Sequence, residues 1–285
     1  MSRFEVDVDE VEYLRHGDKP FVARLFRPRG KGPFPAVVEA HGGAWVEGNR
    51  RNNDAINERV ARGGVVVAAL DFRVPPEASY PASVADVNYA VRWMKANAER
   101  FSTAPEKVGT MGTSSGGHLA VLSAMKPADP RYAAIPSSWG TDARVKYVVT
   151  LWPVICPIGR YIDRKRRDAQ GERHPTRSGG NAMQEKYWLT EEAMAEGSPL
   201  KALERGDAVE LPNILYLQNK ADTLHPRPLM EEFVELYRKA GGKLELELFE
   251  GEAYDLIRTH PESDTAKESI EKIVRFIHRQ AGQAA

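Results

Sequence analysis

The sequence predicts an α/β protein with a mostly parallel central sheet and helices on both faces. Three observations predict it. Apolar, β-branched runs of strand length recur along the chain and alternate with stretches of helical period. Several of these runs are continuous rather than alternating, as strands buried on both faces should be. Gly-rich turns stand directly after two of the runs.

The elements follow in order. Residues 4–13 and 21–26 form an expected antiparallel pair joined by a turn at His16, Gly17 and Asp18. Ala36, Val37 and Val38 form an apolar strand ending at His41, and 65–70 is a second buried strand, with a helix over 53–61 between them. Pro81 opens a helix whose Val84, Val87, Val91 and Met94 share one stripe. Strands are expected at 108–111, 145–151 and 214–217. Leu229, Phe233, Leu236 and Tyr237 mark a helix stopped at Gly241 and Gly242. Leu244, Leu246 and Leu248 alternate with glutamates, a period of two that places this strand near the sheet edge. Ile270, Ile273, Val274 and Ile277 line the buried face of the last helix. Only residues 156–197 resist the alternation, and they are expected to form a lid above the sheet within one domain spanning 1–285.

Composition narrows the function classes. The chain has 285 residues with 42% hydrophobic and 28% charged content, ordinary for a globular protein. Its formal net charge is zero, so no nucleic-acid partner and no membrane partner is expected. Cys156 is the single cysteine, which excludes an internal disulfide, and no metal-ligand spacing surrounds it. The first residues lack an apolar signal core and no apolar run approaches spanning length, so a cytoplasmic location is expected. A homo-oligomer is compatible with this composition.

Chemistry concentrates at two turns. Between strand-like 107–111 and helix-like 118–125 lie Gly112, Thr113, Ser114, Ser115, Gly116 and Gly117. Glycines two before and two after Ser114 permit a tight turn that lifts its hydroxyl above the strand ends. The following helix start offers the Ser115 N–H to developing negative charge. Centring the motif on Ser115 instead loses the first glycine. The second turn is His41, Gly42, Gly43, Ala44 and Trp45, directly after a strand. Its Gly42 and Gly43 N–H groups are expected to complete an oxyanion hole, with His41 orienting the loop.

Segments 41–45, 71–81, 86–93 and 112–119 resemble the hormone-sensitive-lipase-like esterases and, equally, the feruloyl-esterase-like branch of the α/β hydrolases. The resemblance covers nearly the whole chain outside the lid and implies the α/β-hydrolase fold. It makes Asp71, Arg73 and Asp86 scaffold residues. It also implies a carboxylate just after the strand at 214–217, a position that Asp222 fits, holding an imidazole in its working tautomer.

The imidazole is the point of departure. After Phe249, Glu250, Gly251, Glu252 and Ala253, where the family pattern leads to its histidine, this chain has Tyr254. His260, six residues further along the same loop, is the expected base. His225, three residues beyond Asp222, is the other histidine on the correct side of the sheet. His174 lies in the lid, His118 opens the helix behind Ser114, and His16 and His278 are expected at the surface. Tyr254 itself is a reluctant base, since a phenol ordinarily titrates near 10. Trp45, Tyr254 and His225 are expected to line the substrate site.

Seven basic residues fall between Arg160 and Arg177: Arg160, Arg164, Lys165, Arg166, Arg167, Arg173 and Arg177. A solvated helix face accounts for such a run; alternatively one or two of the arginines face the pocket and clamp a substrate carboxylate. The expected function is a serine hydrolase acting on a small-molecule acyl substrate through an acyl-enzyme on Ser114, with no cofactor and no metal. The alternative is a hydrolase-fold protein that has lost its base. It would act as a ligand-binding protein, as in the plant gibberellin receptors that resemble this family, or as a lyase or lactone enzyme.

Overall fold

In the computed structural model, which describes residues 4–172 and 180–282, β1 (Val6–His16) and β2 (Lys19–Pro28) form the expected antiparallel hairpin. The turn between them is made by Gly17 at φ +56° and Asp18. The sheet continues through β3 (Phe34–Ala40), β4 (Val66–Leu70), β5 (Thr103–Thr113), β6 (Tyr147–Leu151), β7 (Asn213–Asn219) and β8 (Leu244–Phe249). Its order is β1-β2-β4-β3-β5-β6-β7-β8. β2 pairs antiparallel with β4, and every pairing from β4 to β8 is parallel.

Parallel strands need helical crossovers, and these cover both faces. α1 (Asp54–Arg62) and the last helix, Asp264–Gln280, pack Ile56, Val60, Ile273 and Ile277 on one face. α2 (Ala82–Ala96) and α3 (Ser114–Met125) pack Val84, Val87, Leu119 and Leu122 on the other. β3, β4 and β6 are buried at every residue, as their largely apolar runs lead one to expect. β8 lies at the sheet edge, where Glu245 and Glu247 reach out to Arg279 and Lys272.

The segment that resisted alternation is largely helical where described. α4 (Pro157–Ala169), α5 (Gly180–Trp188) and α6 (Glu191–Glu196) build it, and α7 (Pro199–Glu204) returns the chain to β7. Local caps account for the boundaries. Cys156 Sγ accepts from Gly159 N at 3.3 Å, Thr190 Oγ1 from Ala193 N at 3.1 Å, and Ser198 Oγ from Lys201 N at 3.2 Å. Proline stands in the first turn of α4 and α7, where its missing N–H removes no helical bond. Arg173, His174 and Arg177 lie outside the described residues. The chain closes with α8 (Arg227–Lys239), the short α9 (Leu256–Thr259) and α10, the Asp264–Gln280 helix.

The parallel register brings Ala40, Gly112, Thr150 and Tyr216 into line near the strand ends. Ligands of open α/β sheets bind beyond these carboxyl ends. The glycine turns of β3 and β5 and the loop after β7 therefore converge on one place.

Candidate active site

Ser114 is the first residue after β5 and has φ +52°, a left-handed conformation costly for a residue with a Cβ. Its neighbours make the turn possible. A Cβ on Gly112 would lie 2.4 Å from the Gly116 carbonyl oxygen, and one on Gly116 would lie 2.1 Å from that of Ala40. Both contacts are with backbone, so only glycine fits at either side of the serine.

The histidine question has a geometric answer. His225 Nε2 lies 3.2 Å from Ser114 Oγ, and His225 Nδ1 lies 2.7 Å from Asp222 Oδ2. Asp222 accepts from Nδ1, which leaves Nε2 free to accept from the serine hydroxyl. The Asp222 carboxylate also accepts the Leu224 and His225 N–H groups at Oδ1, at 2.8 and 3.1 Å. Burial works to raise the Asp222 pKa, but the His225 charge and these hydrogen bonds together hold it below the usual aspartate value. Gln218 Nε2 donates to the His225 carbonyl at 2.8 Å and ties the β7–α8 loop to its strand.

His260 is not brought to the site. It is exposed at the end of α9, with Nδ1 3.0 Å from Thr259 Oγ1. The loop after β8 turns back into α9 before His260 is reached, so lengthening that loop carries the imidazole away from the serine. Tyr254, on the same loop, does line the pocket. Its ring lies 5.6 Å from that of His225 and 6.2 Å from that of Trp152. Burial first, and the Asp255 charge second, raise its pKa, so the phenol keeps its proton.

His41 and His118 are packing residues. His41 stacks on Phe72 at 4.3 Å, with Nδ1 2.7 Å from the Gly42 carbonyl oxygen, and burial lowers its pKa to about 4. His118 Nδ1 accepts from Trp45 Nε1 at 3.1 Å while Nε2 donates to the Gly197 carbonyl at 2.7 Å, and burial again lowers its pKa to about 4. Trp45, expected at the substrate site, is 1% exposed and stacked on Tyr187. It does not line the pocket; the loop turns inward at Ala44 and Trp45, both at positive φ, and buries the indole against α5.

The glycine loop also differs from expectation in one donor. Gly42 N–H donates to Thr113 Oγ1 at 3.1 Å and is already engaged. Among the described residues no partner occupies the Gly43 N–H, which leads into the pocket wall. Gly43 has φ +125°, and a Cβ there would lie 1.9 Å from the Glu47 carbonyl oxygen. Ser115 N lies in the first turn of α3, where no carbonyl one turn earlier exists within the helix.

Beneath this loop lies a network that sequence reasoning missed. Asn53 Nδ2 donates to Thr113 Oγ1 at 3.0 Å and to Glu39 Oε1 at 2.7 Å, while Asn57 Nδ2 donates to Glu39 Oε2 at 3.2 Å. Glu39 is 1% exposed in β3, and burial raises its pKa to about 7 against the opposing Asn bonds. The signal was present in sequence: one carboxylate inside an otherwise apolar strand.

The pocket has a volume of about 230 Å³ and is lined by Gly43, Ser114, Trp152, Arg160, Arg164, Met183, His225 and Tyr254, among others. Among the described residues no group of three His, Cys, Asp or Glu side chains is placed to hold a metal ion. No described helix is long and apolar enough to cross a membrane.

The BD-FAE family model matches residues 25–224. Esterase LipC of Mycobacterium tuberculosis is 29% identical over 259 residues, covering 89% of this chain and 61% of the relative. An isoprenylcysteine alpha-carbonyl methylesterase of Arabidopsis thaliana is 27% identical, covering 93% of this chain and 61% of its own length. This chain thus spans about three fifths of the length of these curated relatives. Among solved structures, a Pyrobaculum calidifontis esterase superposes with a TM-score of 0.78 at 25% identity, over 96% of this chain and 85% of the other. The fold is that of the α/β-hydrolase esterases.

Proposed function

This chain belongs to the BD-FAE family, and from that premise we propose that it is a serine hydrolase cleaving small carboxylic esters. One observation carries the reading: the Ser114 hydroxyl, the His225 imidazole and the Asp222 carboxylate form a continuous hydrogen-bonded chain at the pocket floor. Ser114 Oγ attacks the acyl carbonyl while His225 Nε2 takes its proton, and Asp222 stabilises the imidazolium that results. The Gly43 and Ser115 N–H groups receive the oxyanion. His225 then protonates the departing alcohol, and water, activated by the same imidazole, releases the acid from Ser114.

The esterase names of its relatives agree with this reading. So does the pocket volume of about 230 Å³, which suits a small substrate. The helices between residues 156 and 197 serve as a lid, closing the pocket through Arg160, Arg164 and Met183. The alternative of a scaffold without a base loses its motive, because His225 supplies the imidazole that Tyr254 does not.

Treatment with a fluorophosphonate probe tests the proposal by intact mass. A single adduct is expected on the wild type and none on Ser114→Ala. An unmodified wild type would overturn nucleophilic catalysis.

A further inference from the structure

The lid helix α4 divides its charges in an unusual way. Three of its cations are paired: Lys165 with Glu191, Arg166 with Asp163, and the half-buried Arg167 with both Asp163 and Glu172. Its two buried cations are not. Arg160 and Arg164 are each 7% exposed, both line the Ser114 pocket, and neither meets a carboxylate within salt-bridge distance among the described residues. Residues 173–179 contain no Asp or Glu to supply one.

Their remaining contacts leave capacity to spare. Arg160 Nε and Nη2 donate to Gln184 Oε1 at 3.2 and 2.8 Å, and its guanidinium lies 5.2 Å from the Trp45 ring. The Arg164 side chain makes no hydrogen bond to any described residue. Burial lowers the pKa of both. Arg160 also feels the Arg164 charge, while Arg164 feels the Asp168 carboxylate, which raises its pKa, and the Arg167 charge, which lowers it. Two buried like charges four residues apart on one helix are unfavourable unless an anion joins them. Among the described residues no carboxylate forms an ion pair with either arginine, and the exposed Asp168, one turn along α4, acts on Arg164 only through its field. Asp255 is bound to Arg258, Asp222 to His225, and Glu47 is exposed.

We propose that this pocket takes esters bearing a second, ionised carboxylate, which Arg164 grips with its guanidinium fork while Arg160 holds the field positive. The inference rests on the hydrolase reading and specifies its substrate class. A planar guanidinium suits a carboxylate because two parallel N–H donors match its two oxygens. Both arginines line the same pocket as Ser114 and His225, which places the clamp beside the reacting centre.

Two pairs of probes test it: monoethyl adipate against ethyl hexanoate, and 4-acetoxybutanoate against butyl acetate. They place the carboxylate on the acyl and on the alcohol side. The wild type is expected to favour the anionic member of one pair at least tenfold in kcat/KM. Arg164→Gln should lower that ratio at least tenfold, and Arg164→Lys, which keeps the charge without the fork, should lower it less. A wild type preferring the neutral member of both pairs, or a ratio unmoved in Arg164→Gln, would overturn the clamp. Calorimetric binding of adipate to Ser114→Ala, with and without Arg164→Gln, reads the clamp without catalysis. Weaker binding in the double variant supports it, and equal binding overturns it. Failure of the wild type on every ester, with adipate binding still dependent on Arg164, would sink the hydrolase reading and leave the anion site standing.

Discussion

The Tyr254 ring lies 5.6 Å from the ring of His225, and both line the pocket that holds Ser114. The tyrosine occupies the position where the family pattern leads to a histidine, and the histidine comes from the loop after β7. Acid and imidazole therefore sit three residues apart on one turn, with Asp222 Oδ1 bound to the backbone of that turn and Oδ2 to the imidazole.

His225→Ala should lower kcat by about four orders of magnitude with a modest change in KM, as loss of a triad member does. His260→Ala should stay within about threefold of wild type, since its ring is exposed and bonded to Thr259. Steady-state kinetics on a neutral ester checks both. Large losses in His260→Ala with an active His225→Ala would reverse the assignment.

Tyr254→His should give no gain in kcat/KM. The Asp222 oxygens are already engaged by His225 Nδ1 and two backbone N–H groups, so a second imidazole finds no free acceptor to set its tautomer. A clear increase over wild type would mean that His225 does not serve as the base.

Glu39 should make stability depend on pH. Its pKa rises from 4.5 to about 7 on folding, chiefly through burial, so the folded state holds a proton that the unfolded chain has released. The neutral carboxyl is favoured, and stability falls as pH rises from about 4.5 through 7. Glu39→Gln removes that titration. Between those limits the wild type should lose up to about 3 kcal/mol relative to the variant, measured by urea unfolding. A pH-independent difference would show that the carboxyl titrates alike in both states.

Gly116→Ala should destabilise the fold by about 3 kcal/mol or more, lowering Tm by roughly 6 °C or more, or prevent folding. The added methyl would meet the Ala40 and His41 carbonyl oxygens at 2.1 and 2.3 Å, and neither strand end can withdraw. Gly206→Ala is the control for added bulk, because nothing lies within 4 Å of a Cβ there, although its φ of +68° carries its own modest cost. Thermal unfolding of both separates packing from backbone strain, and equal losses would refute the steric argument.

The sequence by itself determined what depends on neighbours along the chain. Strand and helix periods placed β3 through α3, and the spacing of Gly112, Ser114 and Gly116 marked the nucleophile, because tight turns are a property of consecutive residues. The edge position of β8 was legible for the same reason, in alternating leucine and glutamate. Tertiary structure decided what depends on distance through space. Ser114 and His225 are 111 residues apart and meet only because parallel register aligns the ends of β5, β6 and β7. His260 shares the Tyr254 loop, yet α9 turns it into solvent. Gly42 and Gly43 look alike in sequence, but one N–H is taken by Thr113 Oγ1 from the adjacent strand. Seven basic residues read as one charged run, and the packing of α4 divided the five that it carries into three paired cations and two buried arginines lining the Ser114 pocket. A side chain's chemistry is set by what surrounds it, and long-range packing supplies those surroundings.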